Sequence, residues 1–179
     1  MGIPTLIGSA HTASDSSSID ITSGIDSTYD EYMFVFTDVN PATDGSEFQF
    51  QVNADGATGF NETMTTTFFR AIHDEADTTT GLAYSTAKDQ AQGTSYQSIT
   101  DNIGNGSDEC CAGILHLFNP SSTTYVKHFY ARANAYDGAD YSFDNFVGGY
   151  INTTSAIDEI SFKMDSGNFD GVIQMYGIA

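Results

Sequence analysis

Apolar and polar residues alternate with a period of two along much of this chain, which is the pattern of β-strands with one buried face. Residues 46–54 place Phe48, Phe50 and Val52 on one side, and polar residues occupy the positions between them. Residues 157–164 repeat the pattern with isoleucine, phenylalanine and methionine. Each segment is therefore predicted to form a strand with one solvated face.

Further strands are predicted where β-branched and aromatic residues lie between turn signals. They cover residues 16–22, 30–39, 65–72, 112–119, 123–134, 143–152 and 171–178, with weaker strands at 82–85 and 96–99. The nearest candidate for a helix, residues 83–91, is short and lacks a cap at each end. Residues 74–105 are the most polar and the least periodic, so we expect long loops or an insertion with short strands there.

About eight to ten strands without a convincing helix predict an all-β, single-domain antiparallel β-sandwich. A jelly roll is the most economical version, because its two Greek keys cover most strand edges. Residues 16–179 are expected to form this sandwich. Residues 1–15 are expected to form an N-terminal arm that docks on a neighbouring subunit, although an edge strand of the same sandwich fits them equally well.

Charge limits the partners of this chain. It has 24 acidic against five basic residues, a net charge of -19 over 179 residues. Five scattered cations are too few to neutralise a row of phosphates or to bind an anionic membrane surface. Nucleic acid and membrane are therefore excluded as partners. Many acids fall in turns or alternate outward, which predicts a solvated acidic coat. The basic residues are Arg70, Lys88, Lys127, Arg132 and Lys163, and the last three fall inside predicted strands.

The two cysteines and the N-terminus indicate where the chain folds. Cys110 and Cys111 are adjacent, and a disulfide between neighbours is strained, so both are expected to be free thiols, as in a reducing cytoplasm. The first residues carry no Lys or Arg and only a short apolar stretch, so no secretory signal is expected.

The residues that could carry chemistry form no recognisable constellation. Residues 137–140 and 165–170 offer oxygen ligands for calcium, but they lack the twelve-residue loop pattern and match ordinary turns. Residues 73–75, His-Asp-Glu, lack a nucleophile elbow, and the many carboxylates select no glycosidase pair. Zinc-ligand spacing is missing from His11, His116, His128 and the cysteine pair. We therefore expect no enzyme and assign no catalytic, cofactor-binding or metal residues.

Several tyrosines near predicted loops offer a different chemistry, because exposed aromatic rings can stack on sugars. The chain has no tryptophan, which favours the alternative that these tyrosines serve interfaces and core packing. The candidates are Tyr29, Tyr32, Tyr84, Tyr96, Tyr136 and Tyr141.

Three stretches carry a resemblance to a known group of proteins. They read SGIDSTYDEY at 23–32, GILHLFNP at 113–120 and GNFDGVIQMYGI at 167–178. Together they resemble small virion structural proteins of marine tailed bacteriophages, including cyanophages, and the closing stretch is the most characteristic. The resemblance implies a β-sandwich displayed on the virion, either as a capsid decoration (cement) protein or in the tail apparatus, and it implies no active site.

The sequence thus predicts a non-enzymatic virion structural protein, made in the host cytoplasm and displayed on the outer surface of the head, which it stabilises. An acidic surface would be repelled by packaged DNA, which favours an exterior position. The expected partners are the major capsid protein and copies of itself, as a trimer or dimer. The alternative is a tail or fibre adhesion module that binds a host surface glycan, with or without calcium.

Overall fold

The computed structural model describes residues 2–179, and within that range it contains thirteen β-strands and no helix. The strands pair antiparallel throughout, so the predicted all-β antiparallel sandwich is confirmed. Their bounds are β1 Thr5–Ser16, β2 Ile19–Ile21, β3 Glu31–Pro41, β4 Phe48–Ala54, β5 Met64–Asp74, β6 Thr80–Tyr84, β7 Ala91–Gly93, β8 Gln97–Ser98, β9 Cys111–Phe118, β10 Lys127–Asp137, β11 Tyr141–Ile151, β12 Ile157–Met164 and β13 Phe169–Ile178.

The strands form two sheets of unequal width. The larger sheet has nine strands in the order β1-β13-β3-β9-β10-β11-β5-β6, with β7 also paired to β5. The smaller sheet has four strands in the order β2-β12-β4-β8. The first four strands alternate between the sheets, and the added strands β5 to β7, β10 and β11 all widen the larger one.

The core lies between the two sheets and is rich in phenylalanine. Phe34 of β3 lies 5.7 Å, centroid to centroid, from Phe162 of β12, and Phe50 of β4 lies 4.9 Å from Phe129 of β10. These rings come from the apolar positions of the predicted alternation. Aromatic pairs at these distances add to the area that the two sheets bury, so they fix how the sheets face each other.

The predicted solvated face of residues 46–54 is wrong for the middle of β4. Gln51 and Asn53 are buried there, although they alternate with the apolar residues as expected. The Gln51 amide donates to the carbonyl of Glu62 at 2.9 Å, and the Asn53 amide donates to the Glu159 carboxylate at 2.6 Å. Neighbouring loops cover this face, and hydrogen bonds satisfy the amides that they bury.

Residues 74–105 carry three short strands, β6 to β8, as the polar composition predicted, and the helix considered for residues 83–91 does not form. Residues 85–103, which we call the covering segment, carry β7 at the edge of β5 and then cross the inner side of β5 to reach β8. The Thr66 hydroxyl of β5 donates to Gln97 Oε1 of β8 at 2.7 Å. This end of the larger sheet is therefore covered by short strands and irregular chain.

The N-terminal segment is an edge strand over residues 5–15, the second of the two readings left open by the sequence. β1 pairs with β13, and its register shifts between Ile7 and His11 and again between Ala13 and Ser16. Such bulges are a common way to protect an exposed edge from further pairing. The sandwich thus begins at Thr5 rather than residue 16, Met1 lies outside the described residues, and docking on a neighbouring subunit stays a prediction.

The strand expected over residues 123–134 starts later, at Lys127. The Ser122 hydroxyl accepts the backbone N–H groups of Thr124 and Tyr125, at 3.2 and 3.1 Å, and closes a turn before the strand. Alternation within residues 123–134 predicts that Tyr125 shares a face with Lys127, and this is wrong, because Tyr125 precedes the strand and is 71% exposed whereas Lys127 is buried.

Candidate functional site

The outer face of the larger sheet carries a line of large side chains across five strands. Direct backbone pairing places one residue of each strand beside the next, from β9 through β10, β11 and β5 to β6. We call this line the aromatic row. Its members are Ile114, Arg132, Phe146, Phe69 and Tyr84.

The centre of the aromatic row is a stack. The rings of Phe69 and Phe146 are 4.8 Å apart and nearly parallel, at 2°. On the other side of Phe146, the Arg132 guanidinium carbon lies 4.9 Å from the ring centroid. Both faces of Phe146 are thus covered, which holds the row rigid and leaves ring edges to meet a partner.

Arg132 is itself held by Asp144. Its Nε donates to Asp144 Oδ1 at 3.1 Å and its Nη2 to Oδ2 at 2.7 Å, which makes a two-pronged ion pair. This carboxylate raises the pKa of Arg132 further. The positive charge on the aromatic row is therefore matched by an adjacent negative one.

Next to the aromatic row, Tyr130 has one ring face covered and the other open. His116 stacks on it with centroids 4.6 Å apart, and His116 Nδ1 is hydrogen-bonded to Glu31. On the opposite side Tyr130 pairs with Gly148 of β11, which has no side chain to cover the ring. Tyr130 is 48% exposed. The open face borders a groove of about 340 Å³ with Gly148 as its floor and Thr67 beyond it, which we call the Gly148 slot.

Packing does not require a glycine at position 148. A Cβ atom there would lie 3.9 Å from its nearest neighbour, the carbonyl oxygen of Phe129. At the adjacent Gly149, a Cβ would lie 2.5 Å from the carbonyl oxygen of Thr65, so that glycine is needed. Glycine weakens a strand interior, and one without a packing reason often marks close approach by a ligand or another chain.

The five basic residues all have intramolecular partners. Arg70 and Lys88 bind Asp101, and Lys127 donates to three backbone carbonyls. Arg132 binds Asp144, and Lys163 Nζ lies 4.4 Å from the ring centroid of Tyr96. Lys127, Arg132 and Lys163 lie in strands, as predicted. None of the five basic residues, all within residues 2–179, is therefore free to pair with the surplus of acidic residues.

Most of the tyrosines proposed for sugar stacking serve the fold instead. Tyr32 is buried, and its hydroxyl donates to Asp26 at 3.0 Å, while burial raises its pKa. Tyr136 donates to Asp140, which raises its pKa to about 12. Tyr29, Tyr96 and Tyr141 are partly buried, and Tyr84, 52% exposed, ends the aromatic row.

Tyr125 and Tyr130, the two other exposed tyrosines, are not among the candidates for sugar stacking that the sequence suggested. The sequence holds a signal for Tyr130, because alternation within residues 123–134 places it on the same face as His128 and Arg132, opposite Lys127. Only the pairing of β10 with β11 shows that Gly148 lies beside it. That long-range register is not visible in a single sequence.

The carboxylates of the acidic and histidine segments accept backbone N–H groups, within turns for Asp137 and Asp74 and from the distant residue 47 for Asp165. Asp137 accepts the N–H of Ala139 at 2.8 Å, and Asp165 accepts that of Glu47 at 2.9 Å. Asp74 accepts the hydroxyl of Thr78 and the N–H groups of Thr78 and Thr79 in the turn between β5 and β6, and these hydrogen bonds lower its pKa. Among residues 2–179, no group of three or more His, Cys, Asp and Glu side chains is placed to hold a metal ion.

The cysteines are free thiols, as expected, and Cys111 is buried where β9 begins. Burial raises the pKa of Cys110 and raises that of Cys111 strongly. Neither thiol is therefore activated as a nucleophile. Within the part of the chain that the structure describes, no helix is long and apolar enough to cross a bilayer.

Comparison with known proteins gives no family for this chain. No family model matches it, and neither a curated protein nor a solved structure matches it significantly.

Proposed function

We propose that this chain is a non-enzymatic virion structural protein, an exterior capsid decoration protein that docks on the major capsid protein through the aromatic row and the Gly148 slot. The observation that supports it best is the contrast between an acidic surface and one sheet face of aromatic side chains. A protein of net charge -19 whose cations are all engaged internally presents one sheet face of stacked rings and a neutralised Arg132.

The composition of this face favours a protein interface. Contiguous exposed apolar residues on a soluble protein mark interaction sites, and Tyr, Phe and Arg are enriched where interfaces bury most surface. Because Phe146 is held between Phe69 and Arg132, the face is ordered before it meets a partner. Little side-chain entropy would then be lost on docking.

The remaining acidic surface fits an outward position. It would repel packaged DNA and keep free copies soluble before assembly. We also infer that eight of the strands, four in each sheet, form a jelly roll. Their order is β1-β13-β3-β9 in the larger sheet and β2-β12-β4-β8 in the smaller one, which is the order that two Greek keys produce.

Binding to capsids tests the proposal directly. Purified protein is mixed with capsids that lack it, and bound copies are counted by co-sedimentation and located by cryo-electron microscopy. We expect regular density on the capsid lattice and hundreds of copies per virion. Tyr130→Ser and Ile114→Asp should weaken binding, and Lys163→Gln on the smaller sheet should not. Density confined to the tail would overturn the capsid assignment.

A second candidate is an adhesion module that binds a host glycan in the tail or fibre. The observation in its favour is the open face of Tyr130, on which a sugar ring could stack. It predicts binding to a glycan array that Tyr130→Ala abolishes, together with a low copy number per virion. Glycan binding that survives this substitution would count against it.

A further inference from the structure

We infer that the Gly148 slot receives a cationic side chain, arginine or lysine, from the protein on which this chain docks. The inference rests on the proposed function, because it specifies the chemistry of the docking partner. It concerns the space between Tyr130 and Thr67 above Gly148. Arg132, Phe146 and Phe69 of the aromatic row line the same groove, and both ring faces of Phe146 are already covered.

Tyr130 offers the main attraction. His116 covers one face of its ring at 4.6 Å, and Gly148 leaves the other open. The face of an aromatic ring carries partial negative charge, so a guanidinium or ammonium group placed over it is attracted, and arginine also stacks flat on it. The stacked His116 keeps the Tyr130 ring in place to receive such a group.

The opposite wall of the slot provides a hydrogen-bond acceptor. The Thr67 hydroxyl donates to the carbonyl oxygen of Gly148 at 3.3 Å, which turns the lone pairs of the hydroxyl oxygen toward other donors. The N–H groups of arginine or lysine can use this oxygen. A side chain at position 148 would fill the space between the two walls, so the glycine is what keeps the slot open.

Charge complementarity decides which occupant fits. The chain has a net charge of -19, and its five basic residues are engaged with their own partners, so the potential outside the slot attracts cations. Arg132 does not offset this, because Asp144 binds it at two atoms. A second copy of this chain would have to break one of its own pairs to supply a cation. The occupant therefore comes from a different protein.

A titration followed by NMR tests the slot with defined probes. The full chain is titrated with N-acetyl-arginine amide, with the uncharged near-isostere N-acetyl-citrulline amide, and with methyl glucoside. We expect shifts of the Gly148 amide and Tyr130 ring signals with the arginine probe, weakening as salt is raised. The citrulline probe should bind about tenfold more weakly. Equal responses to both probes, no response, or a stronger response to the glucoside would overturn the inference.

Two variants separate this inference from the proposed function. Gly148→Val fills the slot and Tyr130→Leu removes the ring face, and either should abolish the arginine response while near-ultraviolet circular dichroism shows an intact fold. Each should also weaken capsid binding about tenfold. Full capsid binding by both variants would overturn the inference and leave the docking proposal standing. An arginine response without capsid binding by the wild type would overturn the docking proposal alone.

Discussion

Arg70 of β5 and Asp101 of the covering segment form an ion pair, and Lys88 donates to the same carboxylate at 3.1 Å. The Asp101 side chain is only 6% exposed, and its backbone N–H donates to the buried Asn145 at 3.1 Å. Two of the five basic residues thus bind one buried carboxylate. The ion pair with Arg70 and the hydrogen bond to Asn145 attach the covering segment to the larger sheet, whereas Lys88 lies in the covering segment itself.

Asp101→Asn should therefore destabilise the protein strongly. It leaves Arg70 beside a neutral amide, while Lys88 keeps its ion pair with Glu47, and breaking a buried ion pair typically costs about 3 kcal/mol. The matched control is Asp144→Asn, whose partner Arg132 is exposed, for which we expect a loss below about 1 kcal/mol. Urea denaturation of both variants measures the difference, and equal losses would contradict the structural role of Asp101.

The two adjacent glycines of β11 should respond to substitution in opposite directions. Gly148→Val should raise the free energy of unfolding by about 0.5 to 1 kcal/mol, because a β-branched residue replaces a flexible one in open space. Gly149→Ala should lower it by about 1 to 3 kcal/mol, because its Cβ meets the Thr65 carbonyl oxygen. Thermal and urea unfolding test both. If Gly148→Val were the more damaging change, the slot would have a structural explanation.

Lys127 should be the most important lysine for stability. Its side chain is fully buried, and Nζ donates to the carbonyl oxygens of Tyr125, Thr153 and Ser155 at 3.1, 3.2 and 2.5 Å. Lys127→Met leaves these oxygens without a donor, at a cost on the order of 3 kcal/mol. Lys163→Met, which loses one contact with Tyr96, should cost less than about 1 kcal/mol.

Chemical acylation provides an independent check on Lys127. Mass spectrometry of the folded protein should find Lys127 unmodified under conditions that modify Lys163. Burial lowers the pKa of Lys127, which would otherwise favour acylation, so protection has to come from inaccessibility. Equal modification of both lysines would show that the site opens readily.

Asp158 should lower stability near neutral pH. Burial, Asp55 and Glu159 raise its pKa above 3.8, and its buried Oδ1 has no hydrogen-bond partner among residues 2–179. In the pH range between 3.8 and the raised value, the folded state binds more protons than the unfolded state, so this group's contribution to stability falls as pH rises.

Asp158→Asn removes that penalty. We expect it to raise stability near neutral pH, and the difference from wild type should vanish below pH 3.8. Urea denaturation across this range measures both effects. A neutral or destabilising result near neutral pH would mean that the Asp158 carboxylate has a favourable partner when charged.

The sequence predicts the strands of this protein better than it predicts what covers them. Alternation identifies β4 and β12 because side chains on a strand point to opposite faces in turn. It cannot show that loops bury Gln51 and Asn53, because that depends on chain far away in sequence. The edge position of β1 likewise depends on its pairing with β13, at the other end of the chain.

The candidate site is largely a product of long-range register. Five residues from five strands form the aromatic row, and each alone is an ordinary outward position of a strand. Tyrosines near predicted loops were candidates for sugar stacking, yet Tyr32 is buried and the Tyr136 hydroxyl donates to the carboxylate of Asp140 in a turn. The net negative charge follows directly from the sequence, whereas the partner of each basic residue can be identified only from the fold.

Because the larger sheet is wider than the smaller one, the smaller sheet does not support all of it, and other parts of the chain support the outer face at β5. At β5 the larger sheet packs against the covering segment, which is attached to Arg70 through Asp101 and to Thr66 through Gln97. Irregular chain of this kind opens locally at a lower free-energy cost than a sheet core. The part of the docking surface on β5 and β6 thus lies over the region that opens most easily, and a bound partner would raise the free energy needed to open it. Amide exchange in β5 should slow on binding, while exchange in β3 should stay the same.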